Sequence, residues 1–245
     1  MPNIVKTVGV VLKTMPFKES SLIASVFTKK SGKVRLLVKG CRRPKSKLCG
    51  TMEVFNQTEI IYYKRESKDL YTLSDATVIN HYGKIRGDNN KVSAAMVLCE
   101  FFDKTLPLEE TDANAYAHLN DYLEKLTESD VSIIKPLALC YLLIVLAGAG
   151  FKPHLDNCVR CHNPVNYNNK KIDFSISGGG VVCSDDFDDT VVFLNNETIS
   201  LLKDIYNNKN ICIDAERFRE IETLVPEYLR YHFNQLTLNS LKFLK

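Results

Sequence analysis

The chain has no tryptophan, four methionines and five histidines, and it lacks a long apolar run. Its longest, Leu137 to Gly150, has about 14 residues, where a membrane-spanning helix needs roughly 20. That stretch therefore reads as a buried helix. The amino terminus, MPNIVKTVG, has no apolar stretch of the kind that directs secretion. A soluble, cytoplasmic protein is expected. Catalytic signatures are missing too: no Walker-type phosphate loop, no G-x-G-x-x-G, no G-x-S-x-G and no H-E-x-x-H. His81, His118 and His232 each stand apart from a second catalytic group, and no enzymatic activity is expected.

Charge is present in ordinary amount but unevenly placed. The net charge is +3 over 245 residues. Residues 1–80 hold 15 Lys and Arg against 6 Asp and Glu, whereas the remaining 165 hold 17 against 23. A basic module joined to a mildly acidic one suits a polyanion-binding domain on a neutral scaffold. The densest point is KGCRRPKSK, residues 39–47, with five cations: Lys39, Arg42, Arg43, Lys45 and Lys47. Gly40 and Pro44 make this a loop and not a helix face.

The first 80 residues alternate like strands. Val5–Leu12, Leu22–Phe27, Lys33–Lys39, Met52–Tyr63 and Leu70–Ile79 are rich in β-branched and apolar residues, with turns at Ser31-Gly32 and KRESKD. Five short strands with close turns predict a small barrel of the OB type, whose face and loops bind single strands. The period then changes. Val92, Met96, Cys99, Phe102 and Leu106 have helical spacing, with the N-cap near Asp88–Asn90. Tyr116, Leu119, Leu123 and Leu126 mark a second helix, and Ile133–Ala147 a third that ends at Gly148/Gly150. Helices resume at Glu197–Tyr206 and at Ala215–His232, the latter kinked near Pro226. The expected fold class is α+β: an N-terminal five-stranded OB-fold barrel (1–80), a helical domain (81–150 and 193–245) and a cysteine-bearing, zinc-ribbon-like insertion (151–192).

That insertion reads CVRC at 158–161 and later GGGVVCSDD, with 21 residues between Cys161 and Cys183. A C-x-x-C knuckle aims two thiolates at one point, which suits Zn²⁺. Cys158, Cys161 and Cys183 are the expected ligands. Asp186 stands where a second knuckle would put its last ligand, and His162 and His154 compete for that position. Asp185, Asp186, Asp188 and Asp189 read as a solvated acidic loop in preference to a nuclease site.

These parts, in this order, resemble the bacterial recombination mediator RecO family. The matching stretches are VGVVLKTMPFKESSLIASVFTKKSGKVRLLVKGCRRPKSK, the C-x-x-C…GGGVVC insertion and the C-terminal YLRYHFNQLTLNSLKFL. Asp186 departs from a pattern with a fourth Cys. The resemblance implies binding of single- and double-stranded DNA, annealing of complementary strands, and help for RecA on strands covered by single-strand-binding protein. Implied partners are RecR and the acidic, apolar C-terminal tail of that binding protein, and the implied location is the nucleoid.

A barrel that follows a backbone without reading sequence is served by a flexible cationic loop, since every position carries a phosphate. Lys29, Lys30, Lys33 and Arg35, at the Ser31-Gly32 hairpin, are expected to form a second rim. Tyr62 and Tyr63 must face opposite ways on one strand, so the outward one stacks a base or packs on helices. For the peptide tail, Leu229, Phe233 and Leu236 are expected on an apolar stripe with Arg230 beside it. The rivals are an RNA-binding OB protein, a metal-dependent nuclease and a protein scaffold.

Overall fold

The computed structural model describes residues 3–43, 45–65, 68–165, 167, 171–183, 189–207 and 218–244. The chain forms two compact units, Met1–Glu128 and Ser129–Lys245.

In the first unit, β1 (Asn3–Phe17), β2 (Ser21–Thr28), β3 (Gly32–Val38), β4 (Gln57–Lys64) and β5 (Leu70–Asn80) close into a barrel in the order β1-β2-β3-β5-β4. Neighbours run antiparallel except for the short parallel contact of β3 with β5. Alternation does the sorting. Val11, Ala24, Val26, Val34, Leu36, Ile60, Tyr62 and Leu73 fill the interior, and Cys41 and Met52 join them from the long connection between β3 and β4. That connection explains one departure from expectation. The predicted fourth strand from Met52 begins only at Gln57, because Met52 is buried in the core and Phe55 turns back with φ 75° to donate its N–H to Val11.

Three helices follow: α1 (Gly83–Arg86), α2 (Asn89–Thr105) and α3 (Ala113–Glu128). Asp88 caps α2 by accepting from the N–H groups of Asn90 and Lys91. The apolar stripe predicted for α2 contributes Phe102 to the outside of the barrel. There Phe27 meets Phe102 at a centroid distance of 5.4 Å and Tyr116 of α3 at 5.6 Å. A ring buried this way contributes about 2–3 kcal/mol. The Tyr122 hydroxyl donates to the Ala94 carbonyl at 2.8 Å and joins α3 to α2.

The second unit holds α4 (Val131–Gly148), β6 (Lys171–Ser175), β7 (Gly180–Val182), β8 (Val191–Asn195), α5 (Asn196–Tyr206), α6 (Arg219–His232) and a 3-10 turn at Asn239–Phe243. Among the described residues α4 is the one helix with the length and composition of a membrane span. Most of it, from Ile134 to Leu146, is buried as the core of this unit. The insertion forms a three-stranded sheet in the order β7-β6-β8. Asn195 ends β8 and caps α5, accepting from the Thr198 N–H at 2.6 Å. In α6, Pro226 offers no N–H to the Glu222 carbonyl one turn before it. The expected start of α6 at Ala215 lies outside the described residues.

β1 is hydrogen-bonded along both edges, and Gly9 sits where they overlap, opposite Thr28 on one side and Thr58 on the other. A Cβ there would lie 2.6 Å from Val26 Cγ1 and 2.9 Å from the Phe27 carbonyl oxygen. Gly9→Ala is expected to lower stability by about 1–3 kcal/mol through this overpacking. A urea midpoint equal to that of the parent would contradict it.

Candidate nucleic-acid interface and metal centre

The basic segment leaves β3 at Val38 and turns at Gly40, whose φ of 66° favours glycine. The segment is pinned at many points and not free. The Arg42 N–H donates to the Ser20 carbonyl at 3.0 Å, and the Gly40 N–H donates to Ser21 Oγ at 3.3 Å. Successive turns then close through Arg43 to Gly40, Ser46 to Arg43 and Cys49 to Ser46. At its far end Asn56 is fully buried. Its amide donates to the Gly50 and Thr51 carbonyls at 2.9 and 3.2 Å, and its Oδ1 accepts from Arg86 at 2.8 Å. With Cys41 and Met52 held in the core, the cations point outward: Lys39, Arg42, Arg43, Lys45 and Lys47 are all exposed. Pro44 lies outside the described residues.

The second rim is smaller than expected. Lys29 and Lys30 are exposed at the hairpin, and Arg35 is exposed on β3. Lys33 does not join them. It is buried, and its ammonium donates to the Asp103 carbonyl at 2.6 Å. Burial pulls the Lys33 ammonium below its ordinary pKa, a pull that the Asp103 carboxylate opposes and Arg35 reinforces. The sequence alternation put Lys33 on the outer face, but α2 covers that part of the face.

Tyr62 is fully buried and stacks on Tyr71 at 5.5 Å between centroids. Tyr63 is the outward ring, 38% exposed, with its hydroxyl accepting from Ser74.

The expected apolar stripe at the carboxyl end does not form. Helix α6 stops at His232, and Asn234 and Gln235 take positive φ, which turns Leu236 away from the helical register. Leu229 is core, the Phe233 ring lies 4.3 Å from that of Phe151, and Arg230 pairs with Glu227 at 3.2 Å.

In the insertion, Cys158, Cys161 and Cys183 bring their sulfurs within 4.8 Å of one another. Cys161 and Cys183 are 3.5 Å apart, and the N–H groups of Arg160 and Cys183 each donate to the Cys158 sulfur at 3.4 Å. His162, at φ 63°, completes the turn and donates its N–H to the Cys158 carbonyl. Burial by itself raises the Cys158 thiol, yet the backbone N–H groups around it outweigh burial and pull it below its ordinary value. Cys183 is pushed up to about 12 by its bond to Cys161, with burial and Cys158 adding to the rise. A cation removes that conflict. Metal–sulfur bonds of about 2.3 Å in a tetrahedron place sulfurs roughly 3.8 Å apart, so the three thiols fit a metal ion. Among the described residues the cluster contains neither His154 nor His162. Asp186 lies outside the described residues, as do Asp185 and Asp188.

A closed OB-type barrel with exposed cationic turns, followed by helices and a thiol-bearing ribbon, has the build of a DNA-binding protein. The chain belongs to the RecO family: residues 1–82 match the model for Recombination protein O N terminal, and residues 86–242 that for Recombination protein O C terminal. A protein of Prosthecochloris aestuarii named DNA repair protein RecO is 33% identical over 164 residues, 66% of this chain and 61% of its own. Proteins of the same name from Alkaliphilus metalliredigens and Bifidobacterium adolescentis are 24% identical over 249 residues, 99% of both chains, and 33% identical over 180 residues, 73% and 72% of the two.

The purified protein is expected to carry about one equivalent of thiolate-bound metal, with Cys158→Ser losing it along with part of the thermal stability. Elemental analysis and a melting curve check this. Metal-free protein whose melting temperature ignores the substitution would remove the site.

Proposed function

We propose that the protein is a recombination mediator of DNA repair and not a catalyst. In this reading it binds single- and double-stranded DNA through the turns at Lys39–Lys47, anneals complementary strands and assists loading of RecA onto strands covered by single-strand-binding protein. RecR and the acidic tail of that binding protein are its partners, and it acts in the cytoplasm at the nucleoid. The barrel (1–80) is the DNA-binding part and the insertion (151–192) a zinc-bearing ribbon. Family membership supports the role. The observation that carries the DNA site is the set of five cations exposed on backbone that is itself pinned to the barrel.

The physical logic is electrostatic. Phosphates are uniform along a strand, so a sequence-tolerant annealer needs charge and no base code. Arg42 and Arg43 offer forked donors to phosphate oxygens, while Lys39, Lys45 and Lys47 act as point charges. Because turns hold the backbone, binding orders side chains alone and loses less entropy than a floppy loop would. The Lys29/Lys30 hairpin and Arg35 extend the positive surface.

If this segment makes about five phosphate contacts, the log–log salt slope for single strands should be near −3.5, a loss of about a hundredfold between ~50 and ~200 mM salt. Arg42→Ala with Arg43→Ala should flatten the slope by about one to two units and weaken annealing. Circular dichroism should show the variant folded. A folded variant with the parent's slope and affinity would move the DNA site elsewhere.

A further inference from the structure

Exposure and spacing set one pair of thiols apart. Cys41, Cys99 and Cys140 are buried, which leaves Cys49 and Cys161 as the exposed cysteines among the described residues. Of these two, only Cys161 has a second sulfur in reach among the described residues, that of Cys183 at 3.5 Å. Cys183 itself is half-buried. Cys158, the third member of the cluster, is 1% exposed. Its sulfur accepts from the N–H groups of Arg160 and Cys183, which hold it in place.

The frame that gathers these sulfurs is backbone and does not pass through a metal. The Val159 N–H donates to the Val181 carbonyl at 3.0 Å, and the Val181 N–H donates to the His154 carbonyl at 2.9 Å. The knuckle closes on itself through the N–H of Cys158 to the Asn163 carbonyl and that of His162 to the Cys158 carbonyl. Close packing adds to this. A Cβ at Gly180 would lie 2.4 Å from the His154 carbonyl oxygen and 2.7 Å from Val159 Cγ1, and one at Gly178 would lie 2.8 Å from Val159 Cγ2. The knuckle and β7 are therefore held side by side by their own contacts, and Cys161 stays beside Cys183.

A thiolate is the nucleophile as well as the metal ligand, and oxidants select the thiolates that solvent can reach. Burial shields Cys158, whereas Cys161 is open. The Cys161 and Cys183 sulfurs must close by about 1.5 Å to reach the roughly 2.05 Å of a disulfide. Rotation of the exposed Cys161 side chain supplies a movement of that size.

We propose that Cys161 and Cys183 form a peroxide-sensitive dithiol, which oxidises to a disulfide and releases the metal from the ribbon. The inference rests on the thiolate–metal reading above and adds redox control to that site. The Cys161 thiolate attacks one oxygen of hydrogen peroxide, the O–O bond breaks and hydroxide leaves, so that Cys161 becomes a sulfenic acid. The Cys183 thiolate then attacks the Cys161 sulfur and expels a second hydroxide. Two thiolates have given up two electrons, and the peroxide has taken them. Cys158 alone keeps a thiolate, and one sulfur cannot hold the ion that three had held. The disulfide spans the 21 residues between Cys161 and Cys183 and takes over the cross-link. A thiol reductant reverses the step by exchange.

The test starts from purified protein whose metal content is known from elemental analysis. Hydrogen peroxide is added with a chromophoric zinc chelator present, and the protein is then alkylated, digested and mapped by mass spectrometry. About one equivalent of metal should be released, with Cys161 joined to Cys183 and Cys158 alkylated. Dithiothreitol with added zinc should restore the metal content. Retention of the metal would overturn the dithiol and leave the metal site standing. So would a map that joins Cys158 to either partner, or that shows Cys161 oxidised without a disulfide. Cys158→Ser separates the two readings: it should lack metal, yet peroxide should still join Cys161 to Cys183. A parent without metal would sink the metal reading and the release step with it. The Cys161–Cys183 disulfide in its map would even then uphold the dithiol, and its absence would overturn it.

Discussion

One strand holds the first unit together. β1 is hydrogen-bonded to β4 through its first half and to β2 through its second, and the two ladders overlap at Gly9 and Val10. Only a residue without a side chain fits at Gly9, where Val26 and the Phe27 backbone press close. Without that overlap the sheet would be open, and β4 would present an unpaired edge. Closure also creates the ends of the barrel, and Cys41 and Met52 fill the interior from the long connection after β3. The shape of the basic segment therefore follows from barrel closure.

This changes how the charges are to be understood. In a free loop, five neighbouring cations would repel one another and would have to be ordered on binding. Here the segment is a run of turns tied to Ser20 and Ser21 at one end and to Asn56 and Arg86 at the other. Cys41 and Met52 are core and the cations between them are surface, so one short stretch both completes the barrel and arms it. Lys33 shows the opposite outcome. It has the same residue type and the same basic neighbourhood, but the end of α2 lies over it and turns its ammonium into a structural donor.

Family segments and compact units do not coincide. The C-terminal family segment begins at residue 86, whereas the first compact unit runs to Glu128. Packing explains this. Helices α2 and α3 bury Phe102 and Tyr116 against Phe27 on the outside of the barrel, so these helices complete the first unit's core. In the second unit, α4 supplies the apolar mass, and the ribbon carries three thiols held by backbone N–H groups.

The sequence by itself determined the five strands, the helices from Asn89 to Gly148, the cap at Asp88, the outward charge of residues 39–47 and the meeting of Cys158, Cys161 and Cys183. Each is a local property: period, cap chemistry, charge density or the geometry of a C-x-x-C turn. The Tyr62/Tyr63 pair was half legible, since period two demands opposite faces without saying which face is the interior. Tertiary structure alone decided the rest. Met52 and Phe55 left the expected strand because the barrel end needed filling, and Lys33 was lost to the helix above it. Positive φ at Asn234 and Gln235 broke the stripe of Leu229, Phe233 and Leu236. Cross-strand neighbours such as Lys13, Ser25 and Arg35 were invisible to sequence for a related reason: register across three strands is set by closure of the barrel, and no local pattern in any one strand encodes which residues of its neighbours will stand beside it.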